Sequence, residues 1–392
     1  MSRLGKIKGN DLQYRRTVII SFVKISQKAE KFFEIFFYSL LTLTLLCAKL
    51  QTLKLIRQRG IFMNKLFKKV TAVALSGVLV ATAFAGCSNT AKESDADKTY
   101  TVGICQLVQH DALDAATEGF KAAMTEALGD KVTFKEQNAG GDSNTCSTIT
   151  NQFVSEGVDL IMANATPALQ AAMQNTVSIP IVATSVTDFA TALDISDWTG
   201  TTGMNVTGTA DLAPLAQQAE MIKELCPDAK TVGILYCSAE PNSKYQADEI
   251  TKTLTELGFT VSEYTIADTN QIADVTTKAV GEVDVIYIPT DNTIASATAA
   301  VNEITEPAKI PVFAGEEGIC KGCGVATLSI SYYSIGYEAG KMAVEILTEG
   351  KDPATMEIAY ASDLTKKYVV DRAKSLGITV PEGYEALDIT AE

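Results

Sequence analysis

The residues that could do chemistry in this 392-residue chain are few and unevenly placed. There is one histidine, His110, and beyond residue 86 one arginine, Arg372. General acid–base catalysis draws mostly on histidine, and no nucleophile elbow, phosphate-cradling glycine loop or paired metal motif stands beside this one. Cys320-Lys-Gly-Cys323 has the spacing of a redox pair or of half a zinc site. Structural zinc needs four ligands, and there is no second CxxC. These counts argue against an enzyme and against a metal or other cofactor. What the chain does have is uncharged polar and acidic side chains gathered in six short stretches. They are QLVQHD at 106–111, NATP at 164–167, TSVTD at 184–188, SAEPNSK at 238–244, PTDN at 289–292 and GEEG at 315–318. Hydroxyls, amides and carboxylates in such clusters suit reversible binding of a small polar molecule. The same residue types cap helices, so each residue taken singly admits either role, while the set points to a binding cleft.

The elements that must hold these stretches follow from hydropathy. Short apolar runs at 100–107, 132–137, 158–163 and 179–184 read as strands. Helical spacing covers 114–128, 143–156 up to Gly157, a segment opening at Pro167, 334–347, and 369–376 with Gly377 as its cap. Strands alternating with helices predict parallel α/β units. An internal repeat then divides the chain. TVGI at 101–104 recurs at 231–234, VDLI at 158–161 as VDVI at 283–286, and IPIV at 179–182 as IPVF at 310–313. Three matches in one order at nearly one offset predict two similar lobes, starting near residues 99 and 229. Ligands of parallel sheets bind beyond the strands' carboxyl ends, which is where all six polar stretches fall. The tail from 319 to 392 has no counterpart in the first lobe and is expected to supply a helix and a strand to each lobe. The expected division is 99–211 plus 315–352 for one lobe and 212–314 plus 353–392 for the other.

The N-terminal part obeys different rules. Lys65, Lys68 and Lys69 precede an uncharged run from 70 to 86 that ends Phe84-Ala-Gly-Cys87 and turns polar at once. Basic, apolar and small-residue regions in that order make a secretory signal over 63–86, and the fold beyond it is expected outside the cytoplasm. Residues 87–98 read as a tether. Residues 1–62 hold 12 Lys and Arg against 3 Asp and Glu. Their apolar patch at 35–48 is shorter than the run of about 20 residues that spans a membrane. A signal ordinarily opens a protein, so Met63 is read as the start and 1–62 as a non-native upstream extension. From Cys87 onward there are 18 basic and 44 acidic residues, a surface that repels phosphate backbones and excludes nucleic acid as partner. Six cysteines lie between 105 and 323, and the CxxC pair is expected as a surface-loop disulfide or two free thiols.

Several stretches carry a family resemblance: VGICQLVQHDALDAATEGFKAAM at 102–124, LIMANATPALQAAM at 160–173, CSAEPNS at 237–243, IYIPTDNTIAS at 286–296 and ISYYSIGYEAGKMAVEIL at 330–347. They resemble the extracellular solute-binding lipoproteins of ABC transporters, most closely the tryptophan/tyrosine type. The Ala-Gly-Cys end of the signal likewise resembles a lipobox, with Cys87 lipidated. The resemblance implies a type I periplasmic-binding-protein fold, in which two lobes with parallel sheets flanked by helices clasp a ligand. It also implies a monomer held to the membrane by lipid, an ABC permease and ATPase as partners, and an amino acid, aromatic by preference, as ligand. For such a ligand Asp291 and Glu316 are the expected partners of the ammonium, with Asp188 as an alternative. An arginine clamp for the carboxylate is nearly excluded, so Thr166, Ser243 and backbone N–H groups take that pole. Asn242 and Asn292 suit either pole, Gln109 and His110 the side chain, and Thr187 belongs to the same wall. Here His110-Asp-Ala replaces the family's commoner His-Pro. A ligand-sensing receptor, a sugar or nucleoside binder and a repressor core of the same fold are the rival readings.

Overall fold

The repeated motifs come out as repeated structure. In this computed structural model, residues 98–387 and Ile389 are described. The extension 1–62, the signal 63–86, Cys87 and the tether up to residue 97 lie outside the described residues. In chain order the first lobe begins with β1 (Tyr100–Gln106), α1 (Asp111–Leu128), β2 (Val132–Asn138), α2 (Ser143–Glu156) and β3 (Leu160–Asn164). It continues with α3 (Thr166–Asn175), β4 (Ile181–Val186), α4 (Phe189–Ala192) and β5 (Val206–Ala210). The chain then crosses to a second lobe. This holds α5 (Leu215–Leu225), β6 (Thr231–Cys237), α6 (Pro241–Glu256), β7 (Thr260–Ile266), α7 (Ile272–Val280) and β8 (Val285–Ile288). After these come α8 (Asn292–Ala295), α9 (Thr298–Ala308), β9 (Val312–Ala314), α10 (Glu317–Cys323) and β10 (Ala326–Ser329).

The two sheets share one strand order. The first runs β2-β1-β3-β4-β5 and the second β7-β6-β8-β9-β10, all of these pairs parallel. Identical residues do identical work in both. Asp159 accepts a hydrogen bond from the Thr101 N–H at 2.7 Å, and Asp284 accepts from the Thr231 N–H at 2.9 Å, so the repeated Val-Asp pair pins the third strand to the first. The repeated glycine makes room for an aromatic ring. A Cβ at Gly103 would lie 2.6 Å from the Phe153 ring, and one at Gly233 2.9 Å from that of Tyr264. Helix ends follow local chemistry. Asp142 caps α2 by accepting from the N–H groups of Asn144 and Thr145, and Gly157 closes it at φ 66°.

The tail weaves between lobes. The helix α11 (Tyr332–Glu349) returns to the first lobe and lies against α1 so closely that a Cβ at Gly336 would come 2.0 Å from the Ala116 carbonyl oxygen. Then β11 (Ala359–Tyr360) extends the first sheet beside β5. Finally β12 (Thr365–Val369), α12 (Val370–Leu376) and β13 (Glu385–Leu387) finish the second lobe, with β12 antiparallel to β10. The crossings near 330 and 361 fall later than the expected boundaries at 315 and 353. Ala326–Ser329 hydrogen-bonds in the second sheet, and Ala359–Tyr360 in the first. Strands of only four and two residues leave little trace in hydropathy. The cysteines Cys320 and Cys323 are buried free thiols on α10, not a surface loop. Arg372 holds that helix end, donating to the carbonyls of Cys320, Lys321, Gly322 and Gly324 at 2.7–3.1 Å. Among the described residues no helix is long and apolar enough to cross a membrane.

Candidate functional site

Loops at the carboxyl ends of both sheets meet between the lobes. His110, after β1, hydrogen-bonds Asn292, after β8, with 3.2 Å between Nε2 and Oδ1. Gln246 on α6 donates to Thr187, after β4, at 3.1 Å. A Cβ on Gly318 of α10 would lie 3.4 Å from the Cβ of Asp111. A cavity of about 190 Å³ opens between the lobes, lined from one side by Leu107, Val108 and Pro167 and from the other by Cys237, Glu240 and Asn292. All six expected segments thus contribute to these contacts or to this lining, 184–188 through Thr187.

Each of the expected acids caps a helix. Asp291 caps α8, accepting from the Ile294 N–H at 2.9 Å and from the Cys237 N–H at 2.6 Å. Glu316 caps α10 with both oxygens, accepting from Gly318 and Ile319. Asp188 caps α4 by accepting from the Thr191 N–H at 2.7 Å. The cap role, open for each of them in the sequence, is thus the one their geometry fills. Burial pushes the Asp291 carboxyl up to about 7, with help from the charge of Glu240. Burial likewise pushes Glu316 up to about 7, against the pull of its two backbone donors.

Among the hydroxyls and amides, Thr166 is buried at the start of α3 with its Oγ1 unpartnered, beside Ala165 at φ 90°. Ser185 is also buried and unpartnered, at φ 56°. Two successive strand ends bent into the left-handed region present their polar groups in ways ordinary strands do not. Asn242 donates to Glu240 at 3.2 Å and to the Thr290 carbonyl at 3.1 Å, with its Oδ1 unpartnered, and Ser243 is fully buried beside it. Burial pulls the His110 imidazole below its usual range, although Asn292 and the acids Glu240, Asp114 and Asp111 act the other way. Gln109 is the exception among the expected residues. It is exposed and lines an open groove of about 620 Å³ on the outer side of the first lobe, between α1 and the edge strand β2.

Four residues missing from the sequence reading stand out. Asp211, one residue past β5, is buried and accepts from Thr187 at 3.1 Å and from the Tyr332 hydroxyl at 2.9 Å. Burial raises its pKa, and both hydroxyls oppose that rise only partly. Among the described residues it makes no ion pair. Glu240 gathers the donors of Asn292, Thr293 and Asn242, and Gln246 reaches Thr187 across the lobes. The signal for Asp211 was a carboxylate directly after the run Val206–Ala210, which carries the one strand glycine at φ 153°, Gly208. Glu240 and Gln246 lay within or beside a stretch already noted. Tyr332 had no local signal, because its partner is 121 residues away.

Two parallel sheets of one strand order, crossed by the chain at the same edge and facing each other across polar loops, define a two-lobe binding protein of the type I periplasmic-binding-protein fold. The sequence profile of the family described as ABC transporter substrate binding protein matches residues 101–388, and the chain belongs to that family. It is 37% identical over 295 residues to a tyrosine-binding protein of Clostridioides difficile, covering 72% of this chain and 85% of that one. An ABC domain from Streptococcus pneumoniae in complex with L-Trp is 32% identical, with a TM-score of 0.71 over 74% of this chain and 100% of that one. The ligand-free, open structure of a substrate binding protein with adhesive properties from Clostridium difficile is 36% identical, with a TM-score of 0.58 over 74% and 100%. The backbone thus lies nearer the L-Trp complex than the open protein, although its sequence lies nearer the latter. That ordering fits the hydrogen bonds that join the lobes here.

Proposed function

We propose that the cleft captures an amino acid, aromatic by preference, and that Asp211 takes its ammonium group. One observation carries this: Asp211 is a buried carboxylate whose side-chain partners among the described residues are two neutral hydroxyls. A buried charge without a counter-ion is costly, and a ligand ammonium would supply one. Glu240, a second buried carboxylate, lines the cavity, so the cleft favours a cationic head over an anionic one. Thr166 and Ser185, with Asn242, offer unpartnered polar atoms for the carboxylate and the remaining polar groups. The relatives that bind tyrosine and L-Trp support the aromatic preference.

On this reading the work is capture and delivery without chemistry. Ligand touching both lobes shifts the population toward closure, and the closed form docks on a permease driven by its ATPase. Cys87, at the end of the signal, carries the lipid that holds a monomer to the outer face of the membrane. Calorimetry with L-tyrosine, L-tryptophan, L-phenylalanine, L-leucine and a panel of sugars tests the ligand. Binding to sugars alone would defeat the reading. Loss of lipid labelling in Cys87→Ala tests the anchor.

A further inference from the structure

Glu240 does more than bury a charge. It accepts from the Asn292 backbone N–H at 3.1 Å and from Asn292 Nδ2 at 2.6 Å, from the Thr293 N–H at 2.8 Å and its hydroxyl at 2.7 Å, and from Asn242 Nδ2 at 3.2 Å. A carboxylate in that position only accepts, so the Asn292 amide must turn its NH₂ toward it. The other end of that amide, Oδ1, then faces His110 Nε2 at 3.2 Å. An oxygen there can only accept, so Nε2 carries the proton. In a neutral imidazole the other nitrogen is then a lone pair. That atom, His110 Nδ1, is buried and has no partner among the described residues.

We propose that Glu240, acting through Asn292, fixes His110 as the Nε2–H tautomer, so that Nδ1 accepts a hydrogen bond from a donor on the bound ligand. This rests on the amino-acid reading above. Asn292 and Glu240 line the cavity between the lobes together with Val108, and His110 is hydrogen-bonded to the first of them. Glu240 is a positioning residue: it touches the ligand only through the proton it places. An amino acid offers two kinds of donor, its ammonium and, in tyrosine or tryptophan, a ring hydroxyl or N–H. A buried acceptor left without its donor costs affinity, so the arrangement selects for a ligand that donates there.

His110 is the single histidine of the chain, so ¹⁵N-histidine labelling gives one imidazole to read. Long-range ¹H–¹⁵N spectra of the whole protein are expected to find the proton on Nε2. The Nδ1 resonance should move on adding L-tyrosine. A matching move with L-phenylalanine assigns the donor to the ammonium, and none assigns it to the phenol. Glu240→Gln should give a mixture of tautomers and about tenfold weaker L-tyrosine binding. A proton on Nδ1 overturns the proposal whatever binds, as does an unmoved Nδ1 in a sample that calorimetry shows saturated with L-tyrosine. A single Nε2–H tautomer with full affinity in Glu240→Gln removes the positioning role. Absence of calorimetric binding by either amino acid, with the proton still on Nε2, sinks instead the reading of the ligand, and the acceptor role with it.

Discussion

Thr187 joins three parts of the molecule: it accepts from Gln246 of the opposite lobe at 3.1 Å and donates its hydroxyl hydrogen bond to Asp211 at 3.1 Å. The first bond exists only when the lobes are together. The second orients the carboxylate assigned to the ligand. Closing the cleft and preparing its charge are therefore one event, and Tyr332, at the start of the helix that recrosses to the first lobe, holds the other oxygen of Asp211.

Thr187→Val keeps the shape of that side chain and removes both bonds. Affinity for L-tyrosine should fall about tenfold or more, since one lost bond goes to a charged group. Stopped-flow measurement should find the loss mainly in faster release. An unchanged release rate would show that the bridge has no part in holding the closed form.

Asp211→Asn should weaken amino-acid binding by about 10- to 100-fold, the range for a charge-assisted hydrogen bond. In the unaltered protein Asp211 titrates above the usual carboxylate range, so affinity should fall as pH drops into that raised range. The variant should lose this acid-side decline. Calorimetry across pH reads both effects.

Stability should also depend on pH, with a definite sign. Asp291 and Glu316 have folded values of about 7, above their ordinary ones. Between the unfolded and folded values the native state holds more protons, so stability rises as pH falls through 7. From pH 8 to about 6.5 the gain for the pair is on the order of 1 kcal/mol. Below that, His110 works in the opposite direction, because its lowered pKa lets the unfolded chain take the proton first. Denaturant titrations at fixed temperature should therefore rise as pH falls to 6.5 and rise more gently below it, since one histidine offsets only one of the two carboxyls, and a midpoint that falls from pH 8 to 6.5 would contradict the assignment.

Gly336→Ala would place a methyl 2.0 Å from the Ala116 carbonyl oxygen. Separating α1 from α11 should cost about 2 kcal/mol or more, read as a lower denaturant midpoint.

Arg372→Ala should release the four carbonyls at the end of α10 and expose its thiols. Cys320 and Cys323 are buried and burial pushes both thiols up, Cys323 to about 12, so in the native protein they should resist thiol reagents. The variant should label quickly. Equal labelling rates would mean that the guanidinium is not what closes that end.

The sequence by itself determined the lobes and the rim of the cleft. TVGI, the Val-Asp pair and the Ile-Pro pair are local patterns, and each specifies a strand start, a glycine that admits a ring, or a carboxylate that ties neighbours together. Strand ends in parallel sheets point one way, so the polar stretches after them had to converge. The roles within that rim were decided by tertiary structure. Asp291, Glu316 and Asp188 look like ligand carboxylates by type, but each finds backbone N–H donors within three residues, and a local donor is reached before a distant one. Asp211 acquires its character from Tyr332, far along the chain, and from Thr187, whose orientation waits on Gln246 in the other lobe. Gln109 and His110 are neighbours in sequence, yet one faces the outer groove of the first lobe and the other its opposing lobe. A residue's chemistry is carried in its side chain, but which proton it holds and which charge it keeps depend on what the fold brings against it.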